Sequence, residues 1–118
     1  MASNFVQPGA VLTLTAPSGG VVSGGVYQIG MLLVVALVTA AVGEAFEGQL
    51  TGVFDVTKIG SQAWTVGALV YWDDGNSRFT TVGPGNHLAG HAVAAVGSGA
   101  GETTGRVRLD GVARPDET

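Results

Sequence analysis

His87 and His91 stand four residues apart and are the first groups in this chain that could hold a metal or carry a proton. On a helix that spacing converges on one ion. Here the flanking glycines and the alternation of Leu88, Gly90, Ala92 and Ala94 favour a loop and a strand, on which four residues span roughly 13 Å at about 3.3 Å each. One metal could not bridge them, and both imidazoles are read as surface or interface groups. Asp73 and Asp74 could form an acid and base pair, but neighbours on a strand point to opposite faces. The following Gly75 and Asn76 make them turn residues instead. The glycine-rich stretch Gly97 to Gly105 lacks the Lys-Ser/Thr pair of a phosphate cradle and precedes a strand, not a helix. No Gly-x-Ser-x-Gly elbow occurs, and neither His has a carboxylate partner recognisable from sequence. No residue is assigned to catalysis, to a cofactor or to a metal.

Trp64, Tyr71 and Trp72 are the one concentration of aromatic side chains. Such rings serve as sugar platforms, as interface anchors or, more commonly, as core. Tyr71 and Trp72 are adjacent on an expected strand, so their rings face opposite ways; Trp72 is assigned to the protomer core and Tyr71 to a partner-facing side.

The elements that must position these groups are short strands. Only five Lys plus Arg and nine Asp plus Glu occur among 118 residues, and 20 residues are Gly, against roughly 25% charge and 7% Gly in ordinary soluble domains. So little charge points to surface hidden in assembly. The length suits one domain, residues 1–118, and the absence of Cys leaves apolar burial and backbone pairing to hold it. The net charge of −4 opposes a nucleic-acid footprint, which needs clustered cations. Met31 to Val42 is the most apolar run, but twelve residues fall short of the roughly 20 of a spanning helix. Met1 to Gly9 has neither the basic nor the apolar region of a secretory signal. A soluble protein without export is expected.

Val11 to Thr15 alternates apolar and polar, which predicts a half-buried strand with Leu12 and Leu14 facing the core. Pro17 to Gly25 is a turn-rich interruption. Val26 to Ile29 and Leu32 to Val38 follow as strands, with a bulge or bend at Gly30. The unbroken apolar run of the second implies burial on both faces, one of them against a neighbouring subunit. Ala45 to Leu50 and Val53 to Thr57 read as a strand pair or one strand bent at Gly52. Leu69 to Trp72 and Arg78 to Val82 flank Asp74-Gly75, a strong hairpin signal. Leu88 to Val96 and Arg106 to Leu109 complete the set around the Gly97 to Gly105 loop, and Ala113 to Thr118 reads as a frayed tail. At most one helical turn fits, at Gln62 to Gly67. The fold class is therefore all-β, a small single-domain barrel or sandwich. Leu32, Val34, Val38, Trp64, Tyr71 and Trp72 are the candidate core or subunit-interface residues.

Several stretches, in order along nearly the whole chain, also resemble a known family. They are Asn4-Phe5-Val6-Gln7-Pro8-Gly9, Leu12-Thr13-Leu14-Thr15-Ala16-Pro17 and Gly24-Gly25; then Gly52-Val53-Phe54, Gln62-Ala63-Trp64-Thr65-Val66-Gly67 and Val70-Tyr71-Trp72-Asp73; then Gly90-His91-Ala92-Val93-Ala94 and Thr104-Gly105-Arg106-Val107-Arg108-Leu109. The family is that of the small phage capsid decoration, or cement, proteins. The resemblance implies a β-rich virion protein without chemistry or cofactor. It would be made in the host cytoplasm and bound to the major capsid protein on the outside of an expanded icosahedral head, commonly as a homotrimer. Where the family often carries charge after Gly67, this chain has Ala68 and Leu69, which implies a more apolar hairpin surface. In that setting Ala2, Ser3, Asn4, Phe5, Val6 and Gln7 become a candidate capsid-binding arm, within residues 1–9, with Phe5 and Val6 as anchors; the competing expectation is that Phe5 caps the barrel. The alternative function is a soluble β-type recognition module or head fibre that binds carbohydrate through Trp64, Tyr71 or Trp72. An enzyme has no constellation to rest on.

Overall fold

The computed structural model describes Asn4 and residues 7–118. Among these the chain forms nine strands: β1 (Val11–Thr15), β2 (Val26–Ile29), β3 (Leu32–Ala36), β4 (Ala45–Gln49), β5 (Thr51–Thr57), β6 (Leu69–Asp73), β7 (Arg78–Thr80), β8 (His87–Ala92) and β9 (Thr104–Asp110). They make two antiparallel sheets, ordered β1-β4-β3-β2 and β5-β9-β8-β6-β7. No helix occurs among the described residues, and Gln62 to Gly67 instead holds a turn beside Trp64, whose backbone bridges to Val96. The second sheet curls until β7 meets the end of β5, where Lys58 bridges Phe79 and Ile59 N–H donates to the Phe79 carbonyl at 2.9 Å. The result is a sandwich with one sheet rolled almost into a barrel.

The apolar run of β3 is buried on both faces. Leu33 and Val35 join Trp64, Trp72, Phe79 and Val107 in the cluster between the sheets. Val34 and Ala36 join Phe46 and Leu50 in a second cluster on the other face. That second face does not wait for a neighbouring subunit: Ala16, Val21 and Ala40, from two loops of the same chain, complete it. Leu12 and Leu14 pack there too, half buried.

Local expectations shift in several places, each for a backbone reason. Gly30, with φ of 62°, opens the two-residue Gly30-Met31 turn of the β2–β3 hairpin, so it makes a tight turn in place of a bulge. β3 ends at Ala36, and the Leu37 N–H still donates to the Glu47 carbonyl at 2.9 Å in register with the Val35–Gln49 and Ala36–Gly48 pairs. Val38, expected inside that strand, is 44% exposed and takes no part in the protomer core. β4 and β5 are neither a pair nor one bent strand. Gln49 lies opposite Val35 in the first sheet, Thr51 opposite Asp110 in the second, and Leu50 is the crossing point. The β6–β7 turn takes its left-handed residue at Ser77, φ 52°, while Gly75 keeps negative φ. The segment Ala113–Thr118, expected as a loose tail, runs along the body: Gly85 N–H donates to the Glu117 carbonyl at 2.7 Å and Glu117 N–H to the Asn86 carbonyl at 2.9 Å.

Candidate functional site

The residues with chemical potential are spent on structure. His87 lies on β8, 1% exposed, with Nδ1 3.1 Å from Asp116 Oδ1. It is therefore not a surface group; the strap formed by the C-terminal residues buries it. Asp116 also accepts a 2.9 Å hydrogen bond from Gln28 Nε2, so one carboxylate ties β2 of the first sheet to β8 of the second. His91, further along β8, is half buried between Leu69 and Arg108 on the flanking strands. No group of three His, Cys, Asp or Glu able to hold a metal ion occurs among the described residues. Asp73 caps the hairpin turn through Asn76, and Asp74 accepts the Trp72 Nε1 hydrogen bond at 2.9 Å. Glu102 folds back onto Gly99 N–H and orders the glycine-rich loop.

The three aromatic candidates are buried in the single chain. Trp64 is 1% exposed and Trp72 4%, and Trp72 packs on Phe79 at 4.9 Å between centroids. Tyr71, 8% exposed, does face away from Trp72, but Glu117 of the strap covers it and accepts its hydroxyl hydrogen bond at 3.1 Å. Burial, followed by the Glu117 carboxylate, pushes the Tyr71 hydroxyl above its ordinary pKa. None of these three rings is left open as a stacking platform for a sugar. Of the other candidates, Val34 is fully buried and Leu32 half buried in the second cluster. Of the candidate arm, Ala2, Ser3, Phe5 and Val6 lie outside the described residues, while Asn4 and Gln7 are exposed.

One residue that the sequence did not single out is Lys58. It is 1% exposed, and its ammonium donates to the carbonyls of Ile59 at 2.8 Å and Glu102 at 3.2 Å while lying 5.6 Å from the centre of the Trp64 ring. Carbonyl oxygens and an aromatic face stabilise a buried cation without a carboxylate. These partners leave no motif to find.

What the molecule offers outward is surface. The two loops beyond the second cluster are joined by the Val21–Ala40 bridge and by Ser23 N–H to Thr39 Oγ1 at 3.0 Å. They present Val22, Leu37, Val38 and Val42 at 42–62% exposure. Residues 1–57, which include both loops, contain no Lys or Arg. On the opposite sheet, Val53, Arg108, His91 and Leu69 form one cross-strand row, with the Asp55–Arg106 pair beside it. The Arg106 guanidinium holds the Asp55 carboxyl below its usual pKa. A hollow of about 470 Å³ is an open cleft between β2 and β5, with no built catalytic group.

A β fold that encloses no chemistry and exposes apolar loops is what an assembly protein requires, and the sequence profile of one such family, described as phage cement protein, matches residues 6–109. The chain belongs to the phage cement protein family. Comparison with curated proteins and with solved structures finds no match. As a phage cement protein the chain has a structural, capsid-associated role and is not an enzyme. The family match spans all nine strands but stops at residue 109, within the last of them, so the strap that buries His87 and Tyr71 lies beyond it.

Proposed function

We propose that this phage cement protein binds the outer surface of an expanded icosahedral head as a homotrimer and stabilises the head by multivalent contact with the major capsid protein. The observation that carries this reading is the set of exposed valines and leucine, Val22, Leu37, Val38 and Val42, on two loops locked to each other. A monomer has no use for four such side chains on one pair of loops, whereas an interface removes them from water at about 25 cal/mol per Å². We assign Leu32, half buried against the second cluster, to a subunit interface as well. Binding costs rigid-body and side-chain entropy, so one small contact holds weakly. Three linked contacts on a symmetric head raise apparent affinity by on the order of 10² to 10⁴.

The segment Ala2 to Gln7 adds an apolar anchor through Phe5 and Val6, and strand addition is the mode we assign to it. Binding to purified expanded heads that lack the protein tests the function. Saturable uptake with a copy number divisible by three, together with a raised rupture temperature, is expected. Deleting Ala2 to Gln7 should leave a folded oligomer with weakened uptake; undiminished uptake would remove the arm from the account.

A further inference from the structure

The cleft between the sheets is walled by two strand edges. β2 is the outer strand of the first sheet and pairs only with β3; β5 is at one end of the order of the second and pairs with β9, its far end meeting β7 where Lys58 bridges Phe79. The Gly25 carbonyl accepts Ala36 N–H at 2.9 Å, so the trans peptide it shares with Val26 aims the Val26 N–H the opposite way, out of the sheet. On β5, Lys58 N–H donates to Thr103 at 2.8 Å. By alternation the backbone amides of Asp55 and Thr57 point away from β9. Val26, Asp55 and Thr57 all line the cleft.

The hollow therefore offers outward backbone donors on both walls, Val26 on β2 and Asp55 and Thr57 on β5, with the Tyr27 ring lying against Gly25 between them. Its volume of about 470 Å³ lies within the roughly 300 to 1,000 Å³ of ordinary binding sites. A stretch of about four extended residues, some 13 Å long, fits such a space. The one carboxylate on the wall, Asp55, is neutralised by Arg106 at 2.8 Å. An uncharged stretch with small or hydroxyl side chains is the matching chemistry. Two rings line the cleft: Trp72 is 4% exposed, and Tyr27 is half buried, its hydroxyl accepting the Val22 N–H at 2.8 Å.

We propose that this cleft receives an extended, uncharged segment of the capsid protein, which pairs as an added strand with β2. The proposal rests on the head-binding function above and locates one of its contacts. Free edges are the standard template for such addition.

Two variants and one exchange measurement test it. Val26→Pro removes an outward amide without removing a β2–β3 ladder bond. Thr57→Trp, at an exposed position, fills the cleft and controls for any disturbance of β2. Val26→Pro should bind cognate heads about tenfold more weakly, as the loss of one hydrogen bond implies, and Thr57→Trp at least as weakly, because its ring occupies the cleft. Val26 packs against the core, so Thr57→Trp is the variant expected to melt close to the parent. Hydrogen exchange on head-bound protein should show new protection in residues 24–28 and 55–57. Full-affinity binding by Thr57→Trp, or protection of bound protein elsewhere only, overturns the cleft contact while head binding itself stands. Protection already present in the free oligomer would assign the cleft to a second copy and overturn the capsid segment. Failure of the parent protein to bind any cognate head removes both readings together.

Discussion

The ring of Trp64 lies against the bare Cα of Gly105: a methyl group there would overlap Cζ3 and stand 2.8 Å from Cε3. The indole N–H donates to Gln62 Oε1 at 2.9 Å, and the Gln62 amide donates in turn to Thr80 Oγ1 at 3.0 Å. One aromatic residue thus connects β9, the 62–64 turn and β7, the elements that roll the second sheet. Gly105→Ala should cost about 1 to 3 kcal/mol through overpacking, and Trp64→Ala about 3 to 5 kcal/mol through the cavity. Urea unfolding checks both, and a Gly105→Ala midpoint equal to the parent's would contradict this packing.

The strap makes a second prediction. Arg114 donates to the Leu88 carbonyl at 3.2 Å and to Asp110 at 3.0 Å, and Asp116 and Glu117 meet His87 and Tyr71. Deleting residues 114–118 leaves a buried His without its partner, a loss of about 1 to 3 kcal/mol. A lowered melting temperature and faster hydrogen exchange in residues 85–90 are expected.

Alkaline pH should loosen the same contact. The Tyr71 hydroxyl is raised above 10.0 in the folded protein, by burial first and by Glu117 second. The folded state therefore favours the protonated phenol. The stabilisation is fully present below the unfolded pKa of about 10 and is lost as pH rises through the higher folded value. With two Tyr in the chain, Tyr27→Phe leaves Tyr71 as the one phenol to titrate by absorbance. Its midpoint should lie above that of the unfolded protein, and deletion of the strap should lower it.

Much of this architecture is legible in the sequence because it is local. The Asp74-Gly75 signal marks the β6–β7 hairpin, and the unbroken Leu32 to Ala36 run marks a strand buried on both sides. What covers that second face is not legible, since Val21 and Ala40 meet it from loops whose turn composition predicts only interruption. The transfer between sheets at Leu50 has no signal either, because an apolar residue between two strands is equally compatible with one long strand. His87 and Lys58 look like surface groups by type. Their burial depends on Asp116, 29 positions later, and on backbone carbonyls that any sequence supplies. The sequence motifs around Trp64 and Gly105 point to the family, and the structure shows that they also touch.

The exposed loops allow function to be separated from stability. Val38→Asp and Val42→Asp lie at exposed positions, so each should change folding stability by no more than about 0.5 kcal/mol. Both place a charge where an interface must exclude water. Loss of oligomer or of head binding with unchanged melting is expected; unaltered assembly would move the interface elsewhere.

The most direct test of the account is to add the purified protein to expanded heads that lack it, counting bound copies and recording the temperature at which the heads rupture. The cement function predicts saturation at a copy number set by the head's symmetry and a higher rupture temperature at saturation. Saturable binding that leaves the rupture temperature unchanged, or no binding to cognate heads, would contradict it.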